Sequence, residues 1–365
     1  MPANIAHMII AHHALKALKT SDRPELAGFA NLIDDDSDAH NCRAYTNLGS
    51  VGPDLFYYSS ISKSIKDMVT EGFVQAAGVT AWSYHLHSCR PNQVPLNLLE
   101  VVFSDVIRRD GKVMMEDQDL QKIAYIAGHL THIAADQIIH PLVNQIAGPY
   151  YRDGENRRRH RQAEVFQDYY LYEELYRQKR LQSDRQQAAR YDFFSQNFAS
   201  WVDCIKGLTT RNTTDWFRYF LQRGLVQCYG MFPSEDLIED AVDNLLLTLK
   251  TCLLVGPYKD AAKEYQAMGD RSPMYRRFIK DIDYLQAYQQ AVRLAKVYLI
   301  ALYEVHTILK DGKDFTDRHR ARFCSIISGA DLSCPLEAEI VQKAIAALCA
   351  PRSKGAIYRK VVDAQ

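Results

Sequence analysis

The chain has 365 residues, of which 47% are hydrophobic, so it can bury a sizeable core in one large domain. Lysine and arginine together number 44, as do aspartate and glutamate, and this balance lacks the positive excess with which proteins bind duplex nucleic acid. No run of about 18 apolar residues is present, so the sequence predicts no transmembrane helix.

The N-terminus has neither the basic segment nor the long apolar core of a secretory signal, because His7, His12 and His13 interrupt its apolar residues. We therefore expect a protein that is cytoplasmic as synthesised. Export by a route that needs no such signal stays open.

Helical periodicity dominates the chain, and we find no alternating β pattern of any length. Residues 21–47 are polar and predict a connection with a short helix, 49–54 predict a turn, and 311–335 predict a loop. A helix over 118–140 is expected to end before Pro141. The predicted helices, in chain order, cover residues 5–19, 61–77, 96–109, 118–140, 155–182, 192–206, 213–231, 234–254, 258–266, 272–311 and 336–349.

The helix over 118–140 carries the most informative pattern, with His132, Asp136 and His140 spaced four residues apart in an apolar run. Each step of four residues turns only about 40° past a full revolution, so the three side chains share one helix face. Burying such polar groups is costly without compensation, and a metal ion supplies it. Imidazole and carboxylate are ligands suited to zinc.

A second pair, His160 and Glu164, repeats this spacing on the next predicted helix. A single pair of this kind is usually only surface electrostatics, but two such elements close in sequence favour metal binding. Ten of the twelve histidines lie within residues 1–160, which places the chemistry in the N-terminal half.

The predicted fold class is therefore all-α, a helical bundle around a multinuclear metal cleft. We find no convincing linker, so residues 1–365 are expected to form a single domain. Within it, the metal site lies in 1–170, a helical scaffold and cleft wall in 171–310, and a C-terminal extension in 311–365.

The order of these motifs along the chain resembles the zinc-dependent phospholipase C superfamily. The same order is found in fungal single-strand nucleases, and the spacing over 131–140 is similar to that in the catalytic domain of glycosylphosphatidylinositol-specific phospholipase D. The resemblance covers roughly residues 5–170 and is most specific in the central helix and the Gly-Pro-Asp turn. It rests on Gly49-x-x-Gly52-Pro53-Asp54, His87, His132-x-x-x-Asp136-x-x-x-His140 and His160-x-x-x-Glu164.

The resemblance implies three zinc ions in a cleft of the bundle. The first ion would be bound by Asp54, His87, His132 and Asp136. The second would be bound by His140, His160 and Glu164. The third would be bound by His12, with Asp136 bridging, together with a ligand from the extreme N-terminus.

That N-terminal ligand is where the chain departs from its relatives. In the secreted bacterial enzymes and the fungal nucleases it is a terminal Trp, which this chain lacks. His7 precedes His12 by five residues, the offset of that Trp from its His in the nucleases. We infer that the His7 imidazole replaces the terminal amine.

The upstream imidazole ligand has two candidates, His85 and His87, which would share a face in an extended segment but not in a helix. We prefer His87, because its distance to the apolar run 94–99 fits the family pattern better. Pro53 restricts the backbone and the neighbouring glycines are expected to allow a tight turn, so Asp54 would be held rigidly.

The activity implied is a zinc-dependent phospholipase C, which hydrolyses glycerophospholipids such as phosphatidylcholine at a membrane surface, with Asp54 as the catalytic residue. Phe56, Tyr57 and Tyr58 could contribute an aromatic face for a choline cation, or could pack in the core. The alternative is a single-strand nuclease or another phosphodiesterase. The neutral charge and the missing Trp argue against the nuclease.

Overall fold

The computed structural model describes residues 4–37, 40–58, 76–109, 112–148, 154–172, 214–251, 256–266, 276 and 281–332. In this part of the chain the predicted all-α class is confirmed, and none of its helices is long and apolar enough to span a membrane. The helices are α1 (Asn4–Lys19), α2 (Pro24–Ile33), α3 (Cys42–Ser50), α4 (Ala76–Ser88), α5 (Gln93–Asp105), α6 (Asp117–Ala147), α7 (Gly154–Tyr172), α8 (Thr214–Tyr229), α9 (Glu235–Thr251), α10 (Gly256–Gln266), α11 (Tyr284–Lys310) and α12 (Asp317–Ile326).

Two short strands interrupt the helices between α5 and α6. Strand β1 (Ile107–Arg109) pairs antiparallel with β2 (Lys112–Met114), so Ile107 lies opposite Met114. The prediction of helix through residue 109 is therefore wrong at its end. The backbone leaves the helix at Val106, which is extended, and strands of three residues are too short for an alternating pattern to be recognised.

Helix α6 is the central element, and α1, α3, α5, α7 and α11 all pack against it. A capping box starts it, in which the Glu116 backbone N–H donates to the Asp119 carboxylate and the Glu116 side chain accepts in return. Its side chains are buried on all sides from Lys122 to Ile139, as expected of a helix at the centre of a bundle.

The predicted end of α6 before Pro141 is wrong, because the helix continues through Pro141 to Ala147. Proline removes one backbone hydrogen bond, but it does not terminate a helix whose sides are held by neighbouring helices. The region 311–335 also contains more structure than the predicted loop. Helix α12 begins there with a capping box between Thr316 and His319, and it buries Phe323.

The remaining predicted helices agree in type with the structure where it describes them, with shifted ends. Helix α11 begins at Tyr284 with Asp283 as its N-cap, later than the predicted start at 272. The predictions over 192–206 and 336–349, and nearly all of that over 61–77, lie outside the described residues.

Two glycines allow α3 and α6 to touch backbone to backbone. A Cβ atom at Gly128 would lie 2.0 Å from the carbonyl oxygen of Thr46, and one at Gly49 would lie 2.0 Å from that of Tyr125. Neither Gly49 nor Gly52 has a positive φ, so neither supplies the left-handed backbone that glycine alone adopts readily. The turn that leads to Asp54 lies at Val51, whose carbonyl oxygen accepts a hydrogen bond from the Asp54 backbone N–H. Gly49 lies in helix α3, and because it has no side chain it allows the backbone of α6 to approach closely.

Candidate metal centre

Five segments of the chain bring imidazole and carboxylate side chains to one place inside the bundle. Helix α6 provides three of them, α7 provides two, and α1, α4 and the 3₁₀ helix Gly52–Tyr57 provide one each. All are buried except His140, whose side chain is 16% exposed. The residues are His7, Asp54, His87, His132, Asp136, His140, His160 and Glu164.

The carboxylate of Asp136 is the centre of the arrangement. Its Oδ1 lies 3.3 Å from Nε2 of His7 and 3.3 Å from Nε2 of His140. Its Oδ2 lies 3.1 Å from Nε2 of His132 and 3.3 Å from Nε2 of His87. Four imidazoles therefore face one buried carboxylate, an arrangement in which the two oxygens of Asp136 are available to more than one cation.

Asp54, His87 and His132 form a group on one side of Asp136. Asp54 Oδ1 lies 3.2 Å from His87 Nε2, and the Nε2 atoms of His87 and His132 are 3.3 Å apart. Asp54 Oδ2 lies 3.9 Å from His7 Nε2, so the two oxygens of this carboxylate face His87 on one side and His7 on the other.

His140, His160 and Glu164 form a second group, on the C-terminal side of α6. Glu164 Oε1 lies 2.9 Å from His160 Nε2 and 3.7 Å from His140 Nε2. Ligand atoms in each of these groups, and in a third group of His7, His132 and Asp136, all lie within 4.8 Å of one another. The spacing is suited to a cation in each group.

Backbone carbonyls fix the orientation of two of the rings. His132 Nδ1 donates to the Ser50 carbonyl oxygen over 2.9 Å, and His87 Nδ1 donates to the Ser83 carbonyl oxygen over 2.6 Å. Since a carbonyl oxygen only accepts, each Nδ1 carries a proton and each Nε2 is directed into the site. The close packing of α3 on α6 brings the Ser50 carbonyl oxygen within hydrogen-bonding distance of His132 Nδ1.

The charges in the site favour a cation. Burial opposes protonation of His87, but its hydrogen bonds to Asp136 and Asp54 outweigh burial and raise its pKa well above the usual value. Burial would raise the pKa of Asp136, but His140 and His132 hold it well below the usual value. Without a metal, a proton must lie between the facing Nε2 atoms of His87 and His132, which would otherwise repel each other. A zinc ion can take the place of that proton, and imidazole nitrogens and carboxylate oxygens are ligands that zinc prefers.

His12 and His85 lie outside these three groups. Burial lowers the pKa of His12, and its surrounding charges are Asp34, Arg43 and the lysines of α1. His85 is half-buried, and its ring centroid lies 5.7 Å from that of Tyr229.

The aromatic residues after Asp54 divide between the core and the site. Phe56 and Tyr58 are buried in the core, so an aromatic face made of all three residues is wrong. Tyr57 alone stays half-buried beside the site, with its ring centroid 6.1 Å from that of His87.

One supporting residue was missed from the sequence. Asp168 is fully buried, and its Oδ1 accepts a hydrogen bond of 2.7 Å from the backbone N–H of Ala6. The contact fixes the first turn of α1 and so positions His7. The sequence contains a weak indication of this role, because Asp168 follows Glu164 by the same four residues that separate Glu164 from His160. The three side chains therefore lie near one face of the helix.

Comparison with known proteins agrees with this geometry. No curated protein and no solved structure matches the chain. A family model described as zinc dependent phospholipase C matches residues 6–215, which is more than half of the chain and includes every residue of the three groups. The chain therefore belongs to the zinc-dependent phospholipase C family of hydrolases.

Proposed function

We propose that this protein hydrolyses glycerophospholipids such as phosphatidylcholine to diacylglycerol and a phosphorylated head group, at the surface of a membrane. The observation that carries the proposal is the convergence of four imidazole Nε2 atoms on the buried carboxylate of Asp136. A closed structural zinc site needs only four ligands, whereas this cleft offers eight.

Three zinc ions fit the three groups of ligands. The first would be held by Asp54, His87, His132 and Asp136, and the second by the group of His140, His160 and Glu164. The third would be held by His7 with Asp136 as the bridge. His12 is not part of this proposal, because it belongs to none of the three groups.

When bound, zinc neutralises charge on the phosphate and lowers the pKa of an attacking water. The protein orients the reaction through Asp54, whose two oxygens face His87 and His7. Burial would raise the pKa of Asp54, but His132 and His87 outweigh burial and lower it, so the carboxylate stays ionised near neutral pH. An ionised carboxylate can accept the proton of the attacking water.

His140 in the second group is partly exposed, so we expect substrate to reach the cleft beside this group. Arg158 and Arg159 lie exposed on α7, one turn or less from His160, and both contact Glu155. Glu155 offsets part of their charge, and the remainder suits the phosphate groups of a lipid surface.

The experiment that tests this proposal compares two substrates for the zinc-loaded protein, phosphatidylcholine vesicles and single-stranded DNA. We expect phosphocholine release that a chelator abolishes and that added zinc restores, with little cleavage of DNA. Chelator-sensitive DNA cleavage without phosphocholine release would overturn the lipid assignment in favour of a nuclease.

A further inference from the structure

A small cavity lies in the metal centre between His7 and the second group of ligands. Its volume is about 10 Å³, which is close to the space that one water-sized group occupies. On one side it is bounded by the site residues His7, Asp136, His140 and Glu164. Apolar side chains of α1 and α6 close much of the rest, and one further polar side chain, that of Gln167, completes the wall.

Gln167 is a fully buried amide whose hydrogen-bonding capacity is unused. Its side chain is 0% exposed, and neither Oε1 nor Nε2 has a hydrogen-bond partner in the structure. It follows Glu164 by three residues and His160 by seven on helix α7, so it occupies the same helix face as these two residues. The amide therefore borders the cavity together with the metal-site residues.

A buried amide with two unsatisfied atoms is destabilising, and native proteins rarely keep one without a reason. A metal ion in the cavity would satisfy only the carbonyl oxygen and would leave the N–H groups unpaired. A water molecule can accept from an N–H group and can also donate to the carbonyl oxygen. A phosphate oxygen can accept from the N–H groups. The cavity is therefore suited to an oxygen atom that accepts a hydrogen bond from Gln167 and lies beside the proposed zinc ligands.

We propose that Gln167 is a substrate-contacting residue, whose side-chain N–H donates a hydrogen bond to a phosphate oxygen of the phosphodiester. A water molecule occupies the same place when no substrate is bound. This inference rests on the proposed function, since it takes the phosphodiester as the substrate. It adds to the zinc ligands a neutral donor that orients the phosphate from the α7 side of the cleft.

The test uses Gln167→Met, which removes the donor and the acceptor but keeps an unbranched side chain of similar length. Gln162→Met is the matched control, because Gln162 is exposed on the same helix. Binding of inorganic phosphate to the zinc-loaded proteins is measured by calorimetry, zinc content by mass spectrometry, and the melting temperature on the metal-free proteins.

We expect Gln167→Met to weaken phosphate binding by roughly tenfold or more, since a hydrogen bond to a charged group is lost. Zinc content should be unchanged, and the metal-free variant should melt at or above the temperature of the parent, because the Gln167 amide makes no hydrogen bond to another protein group. Gln162→Met should match the parent in all three measurements.

Unchanged phosphate affinity with zinc retained would overturn the proposal. Loss of one zinc equivalent would overturn it as well, by making Gln167 a metal ligand, and a lower melting temperature of the metal-free variant would make its role structural. If the parent binds phosphate through Gln167 but releases no phosphocholine from lipid, the proposed function fails while this contact stands.

Discussion

Replacing Asp54 by asparagine is expected to lower the turnover of phosphatidylcholine by about a hundredfold or more while the protein stays folded. Asparagine keeps the size of the side chain but removes the charge that faces both His87 and His7. It can neither accept the proton of the attacking water nor neutralise a neighbouring cation. Initial rates on phosphatidylcholine vesicles at saturating zinc, together with circular dichroism, measure the two parts of this prediction.

The matched control for this variant is Asp314→Asn, which removes a carboxylate from an exposed ion pair with Arg108. Exposed pairs contribute little, so turnover should stay within about twofold of the parent. Normal turnover by a zinc-replete Asp54→Asn protein would contradict the catalytic assignment of Asp54.

Gly128→Ala is expected to destabilise the fold by at least about 2 kcal/mol, although alanine is intrinsically the better helix former. The new methyl group would lie 2.0 Å from the Thr46 carbonyl oxygen and 2.5 Å from the Ser50 backbone nitrogen. Backbone atoms cannot rotate away as a side chain can, so α3 and α6 must separate. That movement would also withdraw the Ser50 carbonyl from His132 and weaken zinc binding.

Chemical denaturation of the metal-free protein and a zinc competition titration measure both effects. Gly28→Ala is the control, because Gly28 is exposed on α2 and no atom beyond its own stretch of helix lies within 4 Å of the added methyl group. It should raise stability by about 0.5–1 kcal/mol. A Gly128→Ala protein as stable as the parent would contradict a backbone-to-backbone contact between the two helices at this position.

The sequence was sufficient for the parts of the site that lie on single helices. His132, Asp136 and His140 share a face because of helical periodicity alone, and the pair of His160 and Glu164 follows the same rule. Asp54 and His87 could be selected only through the resemblance, because their approach to α6 depends on how separate helices pack.

Features that depend on tertiary packing could not be predicted. The glycines before Asp54 predicted a turn, whereas Gly49 serves a helix crossing whose partner, Gly128, is far away in sequence. His7 and His12 both lie on α1, but only His7 faces Asp136. Spacing alone does not show which side of a buried helix meets the site.

The most direct test of a multinuclear zinc centre is anomalous X-ray scattering at the zinc absorption edge from crystals of the zinc-loaded protein. We expect one peak within Asp54, His87 and His132, one within His140, His160 and Glu164, and one between His7 and Asp136. A single peak enclosed by four ligands, or no peak beside Asp136, would contradict the multinuclear centre.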